Sequence, residues 1–325
     1  MPGTDPREAM RFVLGELPDL PHLVELPARG PGADVIGRTA GALVDLHVDL
    51  QPAGWRLVPR PGRDERRGAA LLGEDLDALE EAADGWRGPL KVQLAGPWTL
   101  AAALDLPRGE KALSDPGACR DLADSLAEAA ALHVAEVRRR VPGAHVVLQL
   151  DEPMLPAVLG SLVPTASGYG VLRTPEQASA ESGLAAVIER AGVPAIVHCC
   201  ARDVPIALLQ RAGAVGISVD FGLLDRRADE ALGEALEAGV APLAGLVPAV
   251  GRDTAGDVGR NLSEPTATVE PVRRLWRRLG LDPGLVARSV VVTPTCGLAG
   301  ASPAHARGAL ATARAAARVL AEDPE

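Results

Sequence analysis

The stretch His145-Val-Val-Leu-Gln-Leu150 decides the fold class of this chain. It is a short and almost uninterrupted apolar run, and it follows a long segment rich in Ala, Leu and charged residues, Asp115–Arg140. A run of the first kind is typical of a parallel strand that is buried on both faces, and the longer segment is typical of a helix. The sequence therefore predicts an α/β fold in which helices connect buried strands.

The same alternation recurs along most of the chain. Six more strands are predicted, at His22–Leu26, Leu90–Ala95, Ala195–His198, Val215–Asp220, Ala241–Val247 and Ser289–Thr293. Further helices are predicted at Asp5–Leu17, Asp34–Val48, Asp75–Ala83, Thr174–Ala191, Val204–Ala212, Arg226–Glu237, Val269–Leu279 and Pro303–Ala321. Repeated strand-then-helix order predicts a parallel sheet with right-handed crossovers.

Local signals refine these assignments. Ser302-Pro303 and Thr174-Pro175 each place a proline after a hydroxyl residue, which is typical of the first turn of a helix. The Pro- and Arg-rich segment Gln51–Arg67 is predicted to be irregular, with a short extra strand at Trp55–Val58. An exposed loop is predicted at Gly251–Glu264.

Two architectures fit these elements. One is an open, doubly wound sheet, but no Gly-x-Gly-x-x-Gly follows an early strand, which weakens its nucleotide-binding version. The other, which we favour, is a single TIM-type (β/α)8 barrel that forms one domain over residues 1–325. Only seven main strands are predicted and helix-like sequence begins at Asp5. The first strand of such a barrel is therefore expected to be missing or truncated at the N-terminus.

Composition excludes several functional classes. The 325 residues carry a net charge of −10 without a long Lys/Arg run, which argues against nucleic acid as a partner. No apolar stretch reaches about 18 residues, and no secretory signal is recognisable, so neither a membrane partner nor secretion is expected. The four cysteines are too few for a disulfide scaffold. We expect a cytoplasmic enzyme whose cysteines are buried, catalytic or bound to a metal.

Two predicted strands end in residues that bind zinc in proteins. Side chains alternate along an extended segment, so His198 and Cys200 project to one side and Cys199 to the other. Cys296 follows a second strand. One His and two Cys form a plausible zinc ligand set, and the alternative is small buried thiols beside a core histidine. Cys119 lies in helical sequence and is expected to be structural.

Acidic residues end two further strands. Asp220 follows the apolar run Gly216-Ile-Ser-Val, where it is either a fourth metal ligand or the cap of the next helix. Asp151 and Glu152 are adjacent and therefore point in different directions. One of them can hold a substrate ammonium while the other orients a histidine or a loop. The alternative is a helix cap with a solvated acid.

Taken in order along the chain, these motifs resemble those of a known family. They are Met1-Pro2-Gly3-Thr4, Gly96-Pro97-Trp98-Thr99, Asp151-Glu152-Pro153, His198-x-Cys200 with Asp220, and Cys296-Gly-Leu. The set resembles the C-terminal catalytic barrel of cobalamin-independent methionine synthase, in the superfamily that also contains uroporphyrinogen decarboxylase. The similarity runs over essentially the whole chain.

The resemblance implies a reaction and its partners. It implies an S-methyltransferase in which Zn²⁺ binds the thiol of L-homocysteine, and the thiolate takes a methyl group to form methionine. The donor it implies is 5-methyltetrahydrofolate, in polyglutamylated form, or a methylcorrinoid, which a corrinoid protein can carry. The long enzymes have an N-terminal barrel that helps to bind polyglutamylated methyl-folate, and the 325 residues are expected to correspond to the C-terminal barrel alone.

The resemblance also implies roles for single residues. It makes His198, Cys200, Cys296 and Asp220 the metal ligands, although the family usually has Glu at the position of Asp220. It makes Asp151 and Glu152 catalytic, with Asp151 binding the homocysteine ammonium and Glu25 assisting. It places Trp98 and Thr99 in a loop near the pterin of the donor, and ordinary packing is the alternative for Trp98.

Three other functions compete with this one. The first is a corrinoid-dependent thiol methyltransferase of the same superfamily that uses another acceptor. The second is a non-catalytic, zinc-binding regulatory relative, whose metal would normally be closed by four protein ligands. Uroporphyrinogen decarboxylase is the weakest, because that chemistry uses no metal and favours arginines at a barrel mouth where this chain offers thiols.

Overall fold

The computed structural model describes residues 1–251 and 262–324. Its strands are β1 (His47–Gln51), β2 (Gly54–Val58), β3 (Gly88–Ala95), β4 (Ala144–Asp151), β5 (Ala195–Cys199), β6 (Gly216–Asp220), β7 (Ala241–Val247) and β8 (Val291–Pro294). Its helices are α1 (Pro6–Glu16), α2 (Val35–Ala40), α3 (Arg63–Ala82), α4 (Pro97–Ala103), α5 (Pro116–Arg140), α6 (Leu155–Leu159), α7 (Gln177–Ala191), α8 (Ile206–Arg211), α9 (Ala228–Glu237), α10 (Pro265–Leu279), α11 (Pro283–Ser289) and α12 (Pro303–Glu322).

Strands β3 to β8 form one parallel sheet in which each strand neighbours the next one in sequence. The sheet curls into a half-barrel, and helices connect its strands. This confirms the predicted α/β class and the six predicted strands from Leu90–Ala95 onward. The described residues do not form the eight parallel strands of a complete barrel.

The prediction of a strand at His22–Leu26 is wrong. This segment runs beside β3 and makes a single bridge, between His22 and Lys91. The ladder stops there because the side-chain amide of Gln93 donates to the carbonyl of Leu23, at 2.7 Å, in place of a backbone partner. The segment is therefore extended and attached to the edge of the sheet without being a regular strand.

The region between residues 34 and 67 also differs from expectation. The helix predicted at Asp34–Val48 ends at Ala40, and the chain then enters a two-stranded antiparallel hairpin of β1 and β2. Val48 pairs with Leu57 in this hairpin, and both side chains are buried. Cross-strand burial of this kind outweighs local helix propensity. The predicted extra strand is present, whereas α3 begins inside the segment that was expected to be irregular.

Two remaining points concern loops and membranes. Of the loop predicted at Gly251–Glu264, residues 252–261 lie outside the described part of the chain. Among the helices of the described ranges, none combines the length and the apolar character that crossing a bilayer requires.

The two proline-based helix starts have different outcomes. Ser302 caps α12 as predicted, because its side chain accepts a hydrogen bond from the N–H of His305 at 3.1 Å. The start predicted at Thr174-Pro175 is wrong, since α7 begins at Gln177. The Thr174 hydroxyl instead donates to the carbonyl of Leu159, at 3.4 Å.

We expect Ser302→Ala to lower the free energy of unfolding by about 1 kcal/mol, because it leaves a helix N–H without its partner. Ser302→Asp, which preserves an acceptor, should retain most of that stability. Urea unfolding of the three proteins provides the comparison. Equal midpoints for wild type and Ser302→Ala would show that this cap contributes nothing.

Candidate functional site

The register of the parallel sheet gathers polar side chains at its carboxyl end. Asp151 on β4 pairs with His198 on β5, and His198 pairs with Ser218 on β6. Side chains of paired residues in a parallel sheet lie on the same face, so these three share one face. We call this the site face, defined by Asp151, His198 and Ser218.

A candidate metal centre lies at this face. Ligand atoms of His198, Cys200 and Cys296 all lie within 4.8 Å of one another, and the two sulfurs are 3.3 Å apart. One nitrogen and two sulfurs are donors that zinc favours, and two sulfurs on a tetrahedral zinc lie about 3.8 Å apart when Zn–S is about 2.3 Å. The three residues therefore fit zinc with a small outward shift of the thiols. This set is the one that the sequence predicted, apart from Asp220.

The electrostatics of the cluster favour a thiolate. The pKa of Cys296 is lowered to about 4, because Cys200 and His198 both hydrogen-bond to its sulfur. The pKa of Cys200 is raised by sharing its proton with Cys296 and by burial. Burial opposes the charged form of His198, but the contact with Cys296 and the charge of Asp151 outweigh it and raise the pKa of His198. Because thiolate is the form of Cys that binds metals, one sulfur of the cluster is already suited to a cation.

Ser218 orients the histidine of this cluster. Its hydroxyl lies 2.9 Å from Nδ1 of His198, and its side chain is buried. A partner on one ring nitrogen holds the plane of the ring and leaves the other nitrogen, here Nε2, for a metal. The sequence analysis missed Ser218. Its position two residues before Asp220, on the strand that follows His198, was the available signal.

Asp220 does not join the metal cluster. Its Oδ1 accepts a hydrogen bond from the N–H of Gly222 at 2.8 Å, so the carboxylate caps the turn that follows β6. Its carboxylate is not among the ligand atoms that lie within 4.8 Å of one another. Asp220 therefore caps this turn, since Asp bonds readily to a backbone N–H two residues on. It does not cap the next helix, α9, whose N-cap is Arg227. Its role as a fourth ligand stays a prediction.

Asp151 is buried on the site face with one oxygen already bonded. The side-chain amide of Gln149 donates to its Oδ1 at 2.7 Å. Burial raises its pKa to about 6, the charge of His198 acts in the opposite sense, and the charge of Glu25 raises it further. Asp151 is thus a carboxylate close to the candidate metal ligands, and its other oxygen has no hydrogen-bond partner among the described residues.

Glu152 points away from the site face and holds the first turn of α4. Its side chain is fully buried, and it accepts hydrogen bonds from the N–H of Trp98 at 2.9 Å and from the N–H and hydroxyl of Thr99 at 2.8 and 2.7 Å. Burial raises its pKa to about 7 against these bonds. A Cβ on Gly96 would overlap this carboxylate, so only glycine fits there. Glu152 therefore holds the start of α4, which is close to the orienting use predicted for one of the two acids, and its catalytic role stays a prediction.

The predicted donor-binding loop is packed inside the protein. The indole N–H of Trp98 donates to the carbonyl of Ala180 on α7 at 2.9 Å, and the side chain is 4% exposed. Thr99 is also buried, with its hydroxyl on Glu152. The packing alternative for Trp98 accounts for these contacts, and neither side chain offers a surface to a substrate.

Glu25 lies within the extended segment His22–Leu26 beside β3. Its side chain is partly exposed, and its Oε1 lies 3.8 Å from the buried guanidinium of Arg38. The charge of Glu25 acts on both Asp151 and Lys91. Lys91 is a second residue that the sequence analysis missed, and its signal was a charged residue inside an otherwise apolar strand.

No protein-family model matches the sequence, and no curated protein matches it. Among solved structures, the chain is similar to a B12-independent methionine synthase from Shewanella sp. W3-18-1, solved in complex with selenomethionine. The TM-score is 0.63 at 14% sequence identity, and the match covers 98% of this chain and 88% of that chain. This likeness shows a shared fold. The resemblance noted from the sequence is thereby confirmed at the level of the fold.

Proposed function

We propose that this protein is a zinc-dependent S-methyltransferase that methylates the thiol of L-homocysteine and so forms methionine. The observation that carries the proposal is the convergence of His198, Cys200 and Cys296 at the carboxyl end of a curled parallel sheet. Enzymes with parallel α/β sheets place their sites at this end. The shared fold with a methionine synthase supports the same reading.

The donor set suits a catalytic zinc. Three protein ligands leave a position for a substrate, whereas structural zinc is normally closed by four. Bound zinc supplies Lewis acidity that lowers the pKa of a thiol, so the acceptor sulfur is a thiolate at neutral pH. The capping role of Asp220 agrees with an open fourth position.

The chain's own residues bind and orient the acceptor. The free oxygen of Asp151, assisted by Glu25, binds the ammonium of the amino acid and directs its side chain toward the thiol cluster. In the transfer, a bond forms between sulfur and the methyl carbon while the bond from that carbon to the donor breaks. The thiol proton has already left to solvent, so no side chain need act as a base in this step. The electrons of the broken bond stay with the donor, and the leaving nitrogen of a folate donor takes up a proton from solvent. Glu152 contributes by fixing the first turn of α4, after Gly96.

Several wider properties belong to the same proposal. The half-barrel is read as part of a (β/α)8-type barrel, with residues 1–325 as one catalytic domain. The protein is placed in the cytoplasm and in amino-acid biosynthesis, without nucleic acid or membrane as partners. The methyl donor is 5-methyltetrahydrofolate, polyglutamylated or not, or a methylcorrinoid, free or on a corrinoid protein.

The test is metal analysis combined with a donor comparison. The purified chain is loaded with zinc and offered L-homocysteine with methyl-folate and with methylcobalamin in parallel. One zinc per chain and methionine from either donor support the proposal, and the faster donor identifies the partner. Methyl transfer to other thiols but not to homocysteine would favour the alternative acceptor. Zinc without any transfer would favour a regulatory protein, and absence of zinc binding would overturn the site.

The regulatory alternative is separable by chelation. A structural zinc contributes folding free energy, so its removal lowers the melting temperature markedly. For a catalytic zinc we expect chelation to stop methyl transfer while most of the folded structure remains. Parallel melting curves and activity assays on chelated and zinc-restored protein make this comparison.

A further expectation concerns Ser218. We expect Ser218→Ala to lower zinc affinity by about ten- to a hundredfold, because the ring of His198 loses its orienting partner. Ser218→Thr, which keeps the hydroxyl, should restore most of the affinity. Competition with a chromophoric chelator gives the affinities, and the visible spectrum of the Co²⁺-loaded proteins reports ligand geometry. Unchanged affinity and spectrum in Ser218→Ala would show that the serine does not position the ligand.

A further inference from the structure

Lys91 is an unusual cation in this chain. It is one of two lysines among 33 lysines and arginines, the other being Lys111. It occupies the middle of β3, where its neighbours Leu90 and Val92 are completely buried. A charge inside a strand of this kind is costly unless something pairs with it.

The register of the sheet places Lys91 on the site face. Lys91 pairs with Val147 on β4, and side chains at alternate positions along β4 share a face. Gln149 and Asp151 are the next two residues of that row. Because Asp151 in turn pairs with His198, the ammonium of Lys91 belongs to the same face as the candidate metal ligands.

Within residues 1–251 and 262–324, the Lys91 ammonium has neither a hydrogen bond nor an ion pair. Lys111 differs, since its Nζ lies 2.7 Å from Asp105. Burial lowers the pKa of Lys91, while the charges of Asp151 and Glu25 act across space to raise it. Gln93 lies two residues after Lys91 on β3, and its side-chain carbonyl is also buried without a partner among the described residues. Unpaired polar groups on an enclosed face are typical of a place that a polar ligand completes.

Two other cations lie near Glu25. The N-terminal ammonium of Met1 donates to the backbone carbonyl of Glu25 at 2.6 Å. Arg38 is 1% exposed, and its Nη1 donates to Asp75 at 2.6 Å, while its Nε and Nη2 have no hydrogen-bond partner among the described residues. Of the three cations, Lys91 is the one that the strand register places on the site face.

We propose that Lys91 binds the carboxylate of an α-amino acid whose ammonium is bound by Asp151 and Glu25. Lys91 and Asp151 share the site face, and Glu25 lies in the segment beside β3. Among the described residues none of these three side chains pairs with another, and one cation with two carboxylates complements a zwitterion. This inference rests on the proposed function and specifies it further. The site would thus select a thiol that is also an amino acid. An aminothiol without a carboxylate lacks the group that Lys91 binds.

The experiment compares two acceptors that differ only in the carboxylate. Binding of L-homocysteine and of 3-aminopropane-1-thiol to the zinc-loaded chain is measured by calorimetry. Wild type is expected to prefer homocysteine by roughly ten- to a hundredfold, the range of one charge-assisted hydrogen bond. Lys91→Met is expected to lose this preference while its affinity for 3-aminopropane-1-thiol stays the same. Lys111→Met is the matched control and should keep the preference.

Each other result overturns the inference in a recognisable way. If Lys91→Met keeps the preference for homocysteine, another group binds the carboxylate, and the proposed function is untouched. If both affinities fall equally, Lys91 serves only to keep Asp151 ionised. If wild type binds neither thiol, the proposed function and this inference fail together. Circular dichroism and zinc content verify folding, and Lys91→Gln carries the same comparison should Lys91→Met not fold.

Discussion

Cys200→Ser is expected to lower zinc affinity by at least about a hundredfold and to abolish methyl transfer under conditions that saturate the wild type. Structural zinc binding amounts to about 10–16 kcal/mol over four ligands, so one ligand corresponds to roughly 3 kcal/mol. That difference is a factor of about a hundred in affinity. Cys296→Ser should behave similarly, since its sulfur lies 3.3 Å from that of Cys200.

The matched control for this prediction is Cys119→Ser. Cys119 is a partly buried free thiol on α5, outside the His198, Cys200 and Cys296 cluster. The Cys119→Ser variant should bind one zinc per chain and retain activity. Metal analysis after dialysis against a graded chelator series, followed by the methyl-transfer assay, measures both quantities. Wild-type zinc content in Cys200→Ser would remove Cys200 from the metal site.

Glu152→Ala is expected to lower the free energy of unfolding by about 3–5 kcal/mol. The substitution leaves two backbone N–H groups and the hydroxyl of Thr99 without their acceptor in a fully buried place, and each such loss costs about 1–3 kcal/mol. It also opens a cavity beside Gly96. Glu176→Ala is the matched control, because Glu176 is exposed and makes no capping bond, and it should change stability by less than about 0.5 kcal/mol.

The dependence of stability on pH gives a second measure of Glu152. Its pKa is raised from 4.5 to about 7 in the folded protein, so the folded state holds this proton to a higher pH than the unfolded state does. Stability is therefore expected to fall as pH rises from about 4.5 to about 7. Asp151 contributes in the same sense, since its pKa is raised to about 6. Glu152→Gln should flatten part of this slope, and an unchanged slope would contradict the buried, raised pKa of Glu152.

The sequence by itself determined the elements whose signals are local. The apolar run Ala241–Val247 has the length of a strand and lies between two predicted helices, and strand β7 has those bounds. The thiol cluster was predictable for a related reason. Each of its residues directly follows or ends a buried strand, and parallel strands bring such ends to one edge. The strand predicted at His22–Leu26 failed because one side chain, Gln93, takes the carbonyl that its ladder needed.

Only the tertiary structure decided which partners the polar side chains at those strand ends bind. Asp220 can reach a metal or its own turn, and the path of the chain through Gly222 selects the turn. For Glu152 and Trp98 the sequence left two uses open, because their partners, at the start of α4 and on α7, are about 50 and 80 residues away in sequence. Lys91 could be assigned to the face of Asp151 only from the register of β3 on β4. Hydrophobic periodicity is a property of neighbouring residues, whereas the pairing of polar groups depends on register and loop path, which the packed core sets as a whole.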